Sequence, residues 1–199
     1  MQHRLDIAGR GAELLDHKLR ILHTERARMS LLAERTGETW ATAVREADTW
    51  LLRGALLGGQ RALRLSGGGP HATVDVRWAV SMGVRYPVEA VCAVPARSPG
   101  AVPDGSAALV AAREAYVAAV QAAVAHAAAQ AAVRVVAAEE AATRRRLRAI
   151  EDRWVPRLQE AMSQVRLDLE EQEHTDGVRL RWAAGLGAAR PWRDEELRS

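Results

Sequence analysis

The chain has 199 residues, with 28 Lys and Arg against 25 Asp and Glu, for a formal charge of +3. Aromatic residues make up 4%, with no Phe. Material for a thick globular core is scarce, and the abundant alanine suits thin helix-on-helix packing instead. So mild a charge balance, with both signs interspersed, argues against a nucleic-acid partner. The lone Cys92 excludes an intramolecular disulfide and fits a reducing compartment. The first residues, Met1-Gln2-His3-Arg4-Leu5-Asp6, lack a signal-type apolar core. The alanine-rich stretch 107–142 carries Arg113, Glu114, Gln121, His126, Gln130 and Arg134, which are costly in hydrocarbon, so no direct membrane insertion is expected.

The first element, residues 4–65, is predicted as one long helix. Apolar or small residues recur at Leu15, Leu19, Leu22, Met29, Ala33, Thr36, Trp40, Ala43, Ala47, Leu51 and Gly54, at steps of three or four. That is a coiled-coil seam. Gly9, Gly11 and Gly37 weaken the helix locally, by about 1 kcal/mol each relative to Ala. Gly58-Gly59 loosens its end.

Residues 66–105 form the insert. Ser66-Gly67-Gly68-Gly69-Pro70 stops the helix. The glycine run lacks the downstream Lys-Ser/Thr of a phosphate loop, so it is a linker. Thr73 to Val80 alternates with period two, and β-branched residues follow Met82-Gly83 up to Val94. This predicts short strands in a hairpin. Pro95, Pro99 and Pro103 mark a loop.

The last element, residues 106–182, is a second long helix with Ser106 as its N-cap. Val117, Val120 and Val124 share one face of its alanine-rich half. Ile150, Trp154, Leu158, Ala161, Val165 and Leu169 form a seam at steps of 4, 4, 3, 4, 4. That mean exceeds 3.6 and favours straight or slightly right-handed winding, whereas the first seam favours the left-handed sense. Gly185, Gly187 and Pro191 are expected to end the helix, leaving 183–199 as a flexible tail. Two long helices flanking a compact insert fold back on each other most simply as an antiparallel pair, with the Leu15–Leu51 seam facing the Ile150–Leu169 seam. The fold class is therefore mainly α. It is a single elongated domain, a long antiparallel two-helix coiled coil with a small β-hairpin-containing insert.

No catalytic, cofactor-binding or metal site emerges. Arg144, Arg145, Arg146 and Arg148 read as a solvated or protein-contacting face. Glu170, Glu171, Glu173 and Asp176 lie near His174 without convincing ligand spacing. His3, His17, His23, His71 and His126 are scattered, and Cys92 has no evident His partner. Pro156 inside a helical pattern predicts a bend or local loosening.

Three segments carry a family resemblance. One is Gly11, Leu14, Leu15, Lys18 and Leu22. The second is Met82-Gly83-Val84-x-x-Pro87. The third runs from Arg144-Arg145 through Ile150-Glu151 and Val155-Pro156-Arg157-Leu158 to Asp168-Leu169-Glu170-Glu171-Gln172-Glu173. In this order they resemble the D subunit of the V/A-type rotary ATPases and ATP synthases, the central rotor shaft. Leu19 stands where the family commonly has Arg, and Arg20 follows. The resemblance implies a non-catalytic central-stalk protein without cofactors, cytoplasmic and peripheral to the membrane. Its implied partners are the catalytic A and B subunits, the F subunit and the socket subunit on the membrane ring, and its cargo is protons or sodium ions. Leu15, Lys18, Leu22, Met82, Gly83, Val84, Pro87, Arg144, Arg145, Ile150, Glu151, Pro156, Leu158 and Leu169 are then the shaft and partner-contact candidates. A coiled-coil adaptor or a basic helical nucleic-acid binder are the other readings, but neither needs the Met-Gly-Val-x-x-Pro insert.

Overall fold

The computed structural model describes residues 2–66, 71–96 and 106–188. Helix α1 spans Gln2–Ser66, strands β1 and β2 span Thr73–Ser81 and Val84–Ala93, and helix α2 spans Ala107–Ala149. A π-helical turn, Ile150–Trp154, joins α2 to helix α3, Val155–Ala188. The fold is mainly helical with one small antiparallel sheet, as the periodicities predict. Gly67 to Pro70, Pro99, Pro103 and the residues from Ala189 onward lie outside the described residues.

The described residues form two compact units: Leu15–Arg145, and the described residues on either side of it. In the Leu15–Arg145 unit, α1 and α2 pack antiparallel. Asp48 meets Tyr116, Gly37 meets His126 and Arg26 meets Glu140, so numbers rise along one helix as they fall along the other. The sequence expectation for this seam needs correction. The Leu15–Gly54 seam meets the alanine-rich half of the second helix, not Ile150–Leu169. Ala112, Ala119, Ala128, Ala129 and Ala132 are all buried. Alanine gives little transfer energy per residue, but its small side chain lets the backbones approach closely.

Local signals act as the chemistry requires. The Ser106 hydroxyl accepts from Leu109 N–H at 3.3 Å, so Ser106 caps α2. Near the end of α1, Gly59 adopts φ 65°, ψ 175°, a conformation nearly reserved for glycine, and kinks the helix. One stretch within Ala107–Gly185 is long and apolar enough by composition to cross a membrane. Only 22% of that stretch is buried, and Ala118, Ala127 and Ala138 of α2 are exposed.

In the other unit, Leu5, Ala8, Ala12, Leu147, Ile150, Val155, Leu158, Ala161 and Met162 are half-buried. Trp154, Val165 and Leu169 are exposed, so only part of that predicted seam is covered within the chain. The helix also runs on through Gly185 and Gly187 to Ala188, beyond the end expected at residue 182. Both glycines are tolerated in the helix interior at about 1 kcal/mol each.

Candidate functional site

The helix pair is interlocked at three levels. At the first, Gly37 leaves a notch in α1. A Cβ there would lie 3.0 Å from His126 Cε1. The imidazole fills the notch, with Nδ1 3.0 Å from the Ala33 carbonyl oxygen and 3.3 Å from Thr36 Oγ1. A carbonyl can only accept, so Nδ1 carries the proton in that pairing. The ring stacks on Trp40 at 5.6 Å between centroids, inclined by 20°. Trp40 thus keeps its seam position through the stacked ring face and is 39% exposed.

The second level is a charged clamp. Glu140 is buried on the α1-facing side of α2. Arg26 Nη1, from α1, donates to its Oε2 at 2.9 Å, and Arg144 Nη2, one turn on in α2, donates to its Oε1 at 2.6 Å. His23 Nδ1 lies 3.6 Å from Oε1. Burial pushes the Glu140 pKa up, but the Arg26 hydrogen bond and charge, the Arg144 charge and the His23 bond outweigh it. The carboxyl is held below its ordinary value. Beside it, Lys18 Nζ donates to Glu139 Oε1 at 2.8 Å across the pair. Thr143, one turn beyond Glu140, is fully buried and its hydroxyl has no hydrogen-bond partner among the described residues.

The third level seats the hairpin. Val84 and Tyr86 join Leu22, Met29, Ala132 and Val136 in one apolar cluster, with Ala79 and Val133 against it. Tyr86 Oη donates to Glu25 Oε1 at 2.6 Å, and Arg28 holds the same carboxylate through Nη2 at 2.6 Å and Nε at 3.3 Å. The Arg28 hydrogen bond, aided by Tyr86 and by the Arg28 charge, outweighs desolvation and lowers the Glu25 pKa. Desolvation, then Glu25, raises that of Tyr86. The seat depends on the turn. Met82 (φ 50°) and Gly83 (φ 79°) form a two-residue loop with positive φ at both positions, which matches the twist of the strands. Pro87 is buried at the register shift, opposite Trp78.

The predicted residues are thus distributed unevenly. Leu22 and Val84 meet in the seat, Met82 and Gly83 build its turn, and Lys18 and Arg144 hold carboxylates of α2. Leu15 is half-buried on the seam, while Arg145 is exposed. In the other unit, Val155 N–H reaches back to the Ile150 carbonyl, a five-residue step that closes the π turn immediately before Pro156. This is the loosening expected of a proline that lacks the N–H to continue the ladder. Ile150 and Leu158 are half-buried there, whereas Glu151 and Leu169 are exposed.

The family model for the ATP synthase D subunit matches residues 1–185. The chain belongs to the ATP synthase D-subunit family. Members are stalk subunits of rotary ATPases, which are membrane-associated complexes. No curated protein matches the chain.

For this member of the D-subunit family, sequence reading missed His126, Gly37 and Glu140. In sequence His126 is one of several scattered histidines, and nothing local to Glu139-Glu140 singles the pair out. Only the antiparallel register places a glycine opposite the imidazole and Arg26 opposite the carboxylate. Among the described residues, no group of three or more His, Cys, Asp or Glu could hold a metal ion.

Proposed function

We propose that this chain is the non-catalytic torque-bearing shaft of a V/A-type ATPase or ATP synthase that moves protons or sodium ions. On this reading, the helical part turns within the ring of catalytic A and B subunits. The F subunit and a socket subunit connect it to the membrane ring, and the chain works on the cytoplasmic side without entering the bilayer. The observation that carries the reading is the interlock of α1 with α2. A shaft must resist twist. Sliding or rotating one helix against the other would pull His126 from the Gly37 notch and break the Arg26–Glu140 and Lys18–Glu139 pairs. A simple apolar stripe offers no comparable resistance, because apolar attraction is non-directional.

Leu15, Leu22 and the Met82–Val84 turn serve the shaft internally on this reading. Arg145, Glu151 and Leu169 are its outward contacts, half-buried Ile150 and Leu158 brace it internally, and Pro156 with the π turn sets where the helix yields. The test is the assembled complex with Gly37→Leu in the chain. The expected result is ATP turnover that persists while ion movement per ATP falls, with Arg157→Ala unchanged. Intact coupling with a visibly loosened helix pair would defeat the torque role. Failure of the chain to join any such complex would favour an adaptor.

A further inference from the structure

We propose that β1 is a docking edge: an extended segment of another polypeptide of the same assembly adds to it as a third strand. The inference rests on the proposed stalk role, since it supplies that assembly with a contact. β1 pairs only with β2, in a two-stranded sheet, so its other edge presents free backbone donors and acceptors among the described residues.

The two strands are not equivalent. The tip of β2 is seated on the helices through Val84 and Tyr86. β2 also contains Pro87, which has no N–H, and one extra residue at Val88, where the register slips between Arg77/Glu89 and Trp78/Pro87. Proline and bulges are the devices that blunt a sheet edge. β1 has no proline, no lysine and no extra residue, and almost its whole length is exposed. On one face it carries Val74, Val76, Trp78 and Val80, which are 49%, 40%, 51% and 68% exposed. Arg85 lies over the Trp78 ring, 4.8 Å from its centroid, and holds the ring in place.

Charge narrows the occupant. On the opposite face Arg77 is paired with Glu89 across the ladder. Asp75 faces Val91 instead, is exposed and forms no ion pair among the described residues, its same-face neighbour Arg77 being held by Glu89. The entering strand therefore alternates, with apolar side chains beside the valine stripe and a Lys or Arg beside Asp75. Strand addition satisfies the open backbone and the stripe together, whereas a helix laid on the stripe leaves the edge unpaired. A second copy of the chain would bring Arg77 to Asp75, but Glu89 already holds that guanidinium.

The experiment compares backbone hydrogen exchange over residues 73–81 in the purified full chain and in the complex isolated through a tag on one of the catalytic chains. The expected result is at least a tenfold slowing of the outward β1 amides in the complex. Asp75→Lys should abolish that gain, while the Val84 and Tyr86 amides stay protected and so report an intact seat. Equal β1 rates in both samples would overturn the proposal. So would slowing in the isolated chain that grows with its concentration, the mark of a second copy. Trp78 shielded from an aqueous quencher with β1 amides still fast would point to a helix on the face and would also overturn it, as would an Asp75→Lys complex as protected as the wild type. A chain that co-purifies with ATPase subunits yet keeps fast β1 amides refutes this inference alone. A chain that co-purifies with none refutes the stalk role and this inference together.

Discussion

The alanine-rich half of the second helix and the last part of α3 are instructive side by side. The first has mostly small side chains, and many of them are buried, including Ala119, Ala128, Ala129 and Ala132. The second has large apolar residues at helical spacing, Val165 and Leu169, and every residue from 163 to 176 is exposed. Apolar spacing indicates which face of a helix is able to bury, but it does not name the partner that covers it. In α2 the partner is α1, because small residues admit close approach and a few polar groups fix the register. In α3 the stripe stays uncovered among the described residues.

The widest gap between the two regions should appear on removing one leucine from each. Leu22 is fully buried, so Leu22→Ala should cost about 3 kcal/mol in denaturant unfolding of the full chain, while Leu169→Ala costs less than about 0.5. Equal losses would erase the distinction. Leu169→Ala should instead weaken the assembled complex.

Glycine substitutions sharpen the same contrast. Gly37→Leu must displace His126 and should cost about 1–3 kcal/mol from overpacking. A Cβ at Gly9 meets nothing within 4 Å, so Gly9→Ala should stabilise by about 0.5–1 kcal/mol. Thermal melting of both variants decides the matter, and a stabilising Gly37→Leu would mean that the notch is not tight.

The polar contacts give smaller effects. Glu140→Gln should cost about 1–2 kcal/mol, since a charge-assisted hydrogen bond is weakened while the side chain's shape is kept. The pH dependence follows from the direction of the shifts. Glu140 and Glu25 both have folded pKa values below the ordinary 4.5. Their contribution is fully present above that value and is lost as pH falls below it through the lowered folded values. An acid titration of stability should therefore flatten below pH 4.5 in Glu140→Gln relative to the parent. Smallest of all, Tyr86→Phe should cost about 1 kcal/mol for its bond to Glu25, without altering helix content by circular dichroism.

Much of the fold is legible from periodicity and turn chemistry. Steps of three and four located the α1 seam, and alternation located β1. The β-branched runs on either side of Met82-Gly83 indicate a hairpin, and the structure places its turn at those two residues, where glycine takes one of the two positive-φ positions. The partner of the seam was not legible, because alanine carries too little hydrophobic signal to compete with Ile150, Trp154 and Leu158 on paper. The clamp was hidden for a related reason. Two adjacent carboxylates among alanines carry no local sign of burial; only the register brings Arg26 to Glu140. The hairpin seat was half legible: Val84 stood out as part of a motif, but the Tyr86–Glu25 contact joins residues 61 apart in sequence and has no local signature.

The π turn before Pro156 acts as a vernier on the helix that carries it. An α-helix advances about 100° per residue, so the eight residues from Ile150 to Leu158 would leave these side chains about 80° apart around the axis. A turn closed by the Val155-to-Ile150 step absorbs one residue more than an α turn. Seven effective steps bring the two side chains to within about 20° of each other. Ile150 and Leu158 accordingly share an azimuth, and both are half-buried. The run of four-residue spacings, which seemed to call for a different supercoil, is largely the imprint of this one inserted residue.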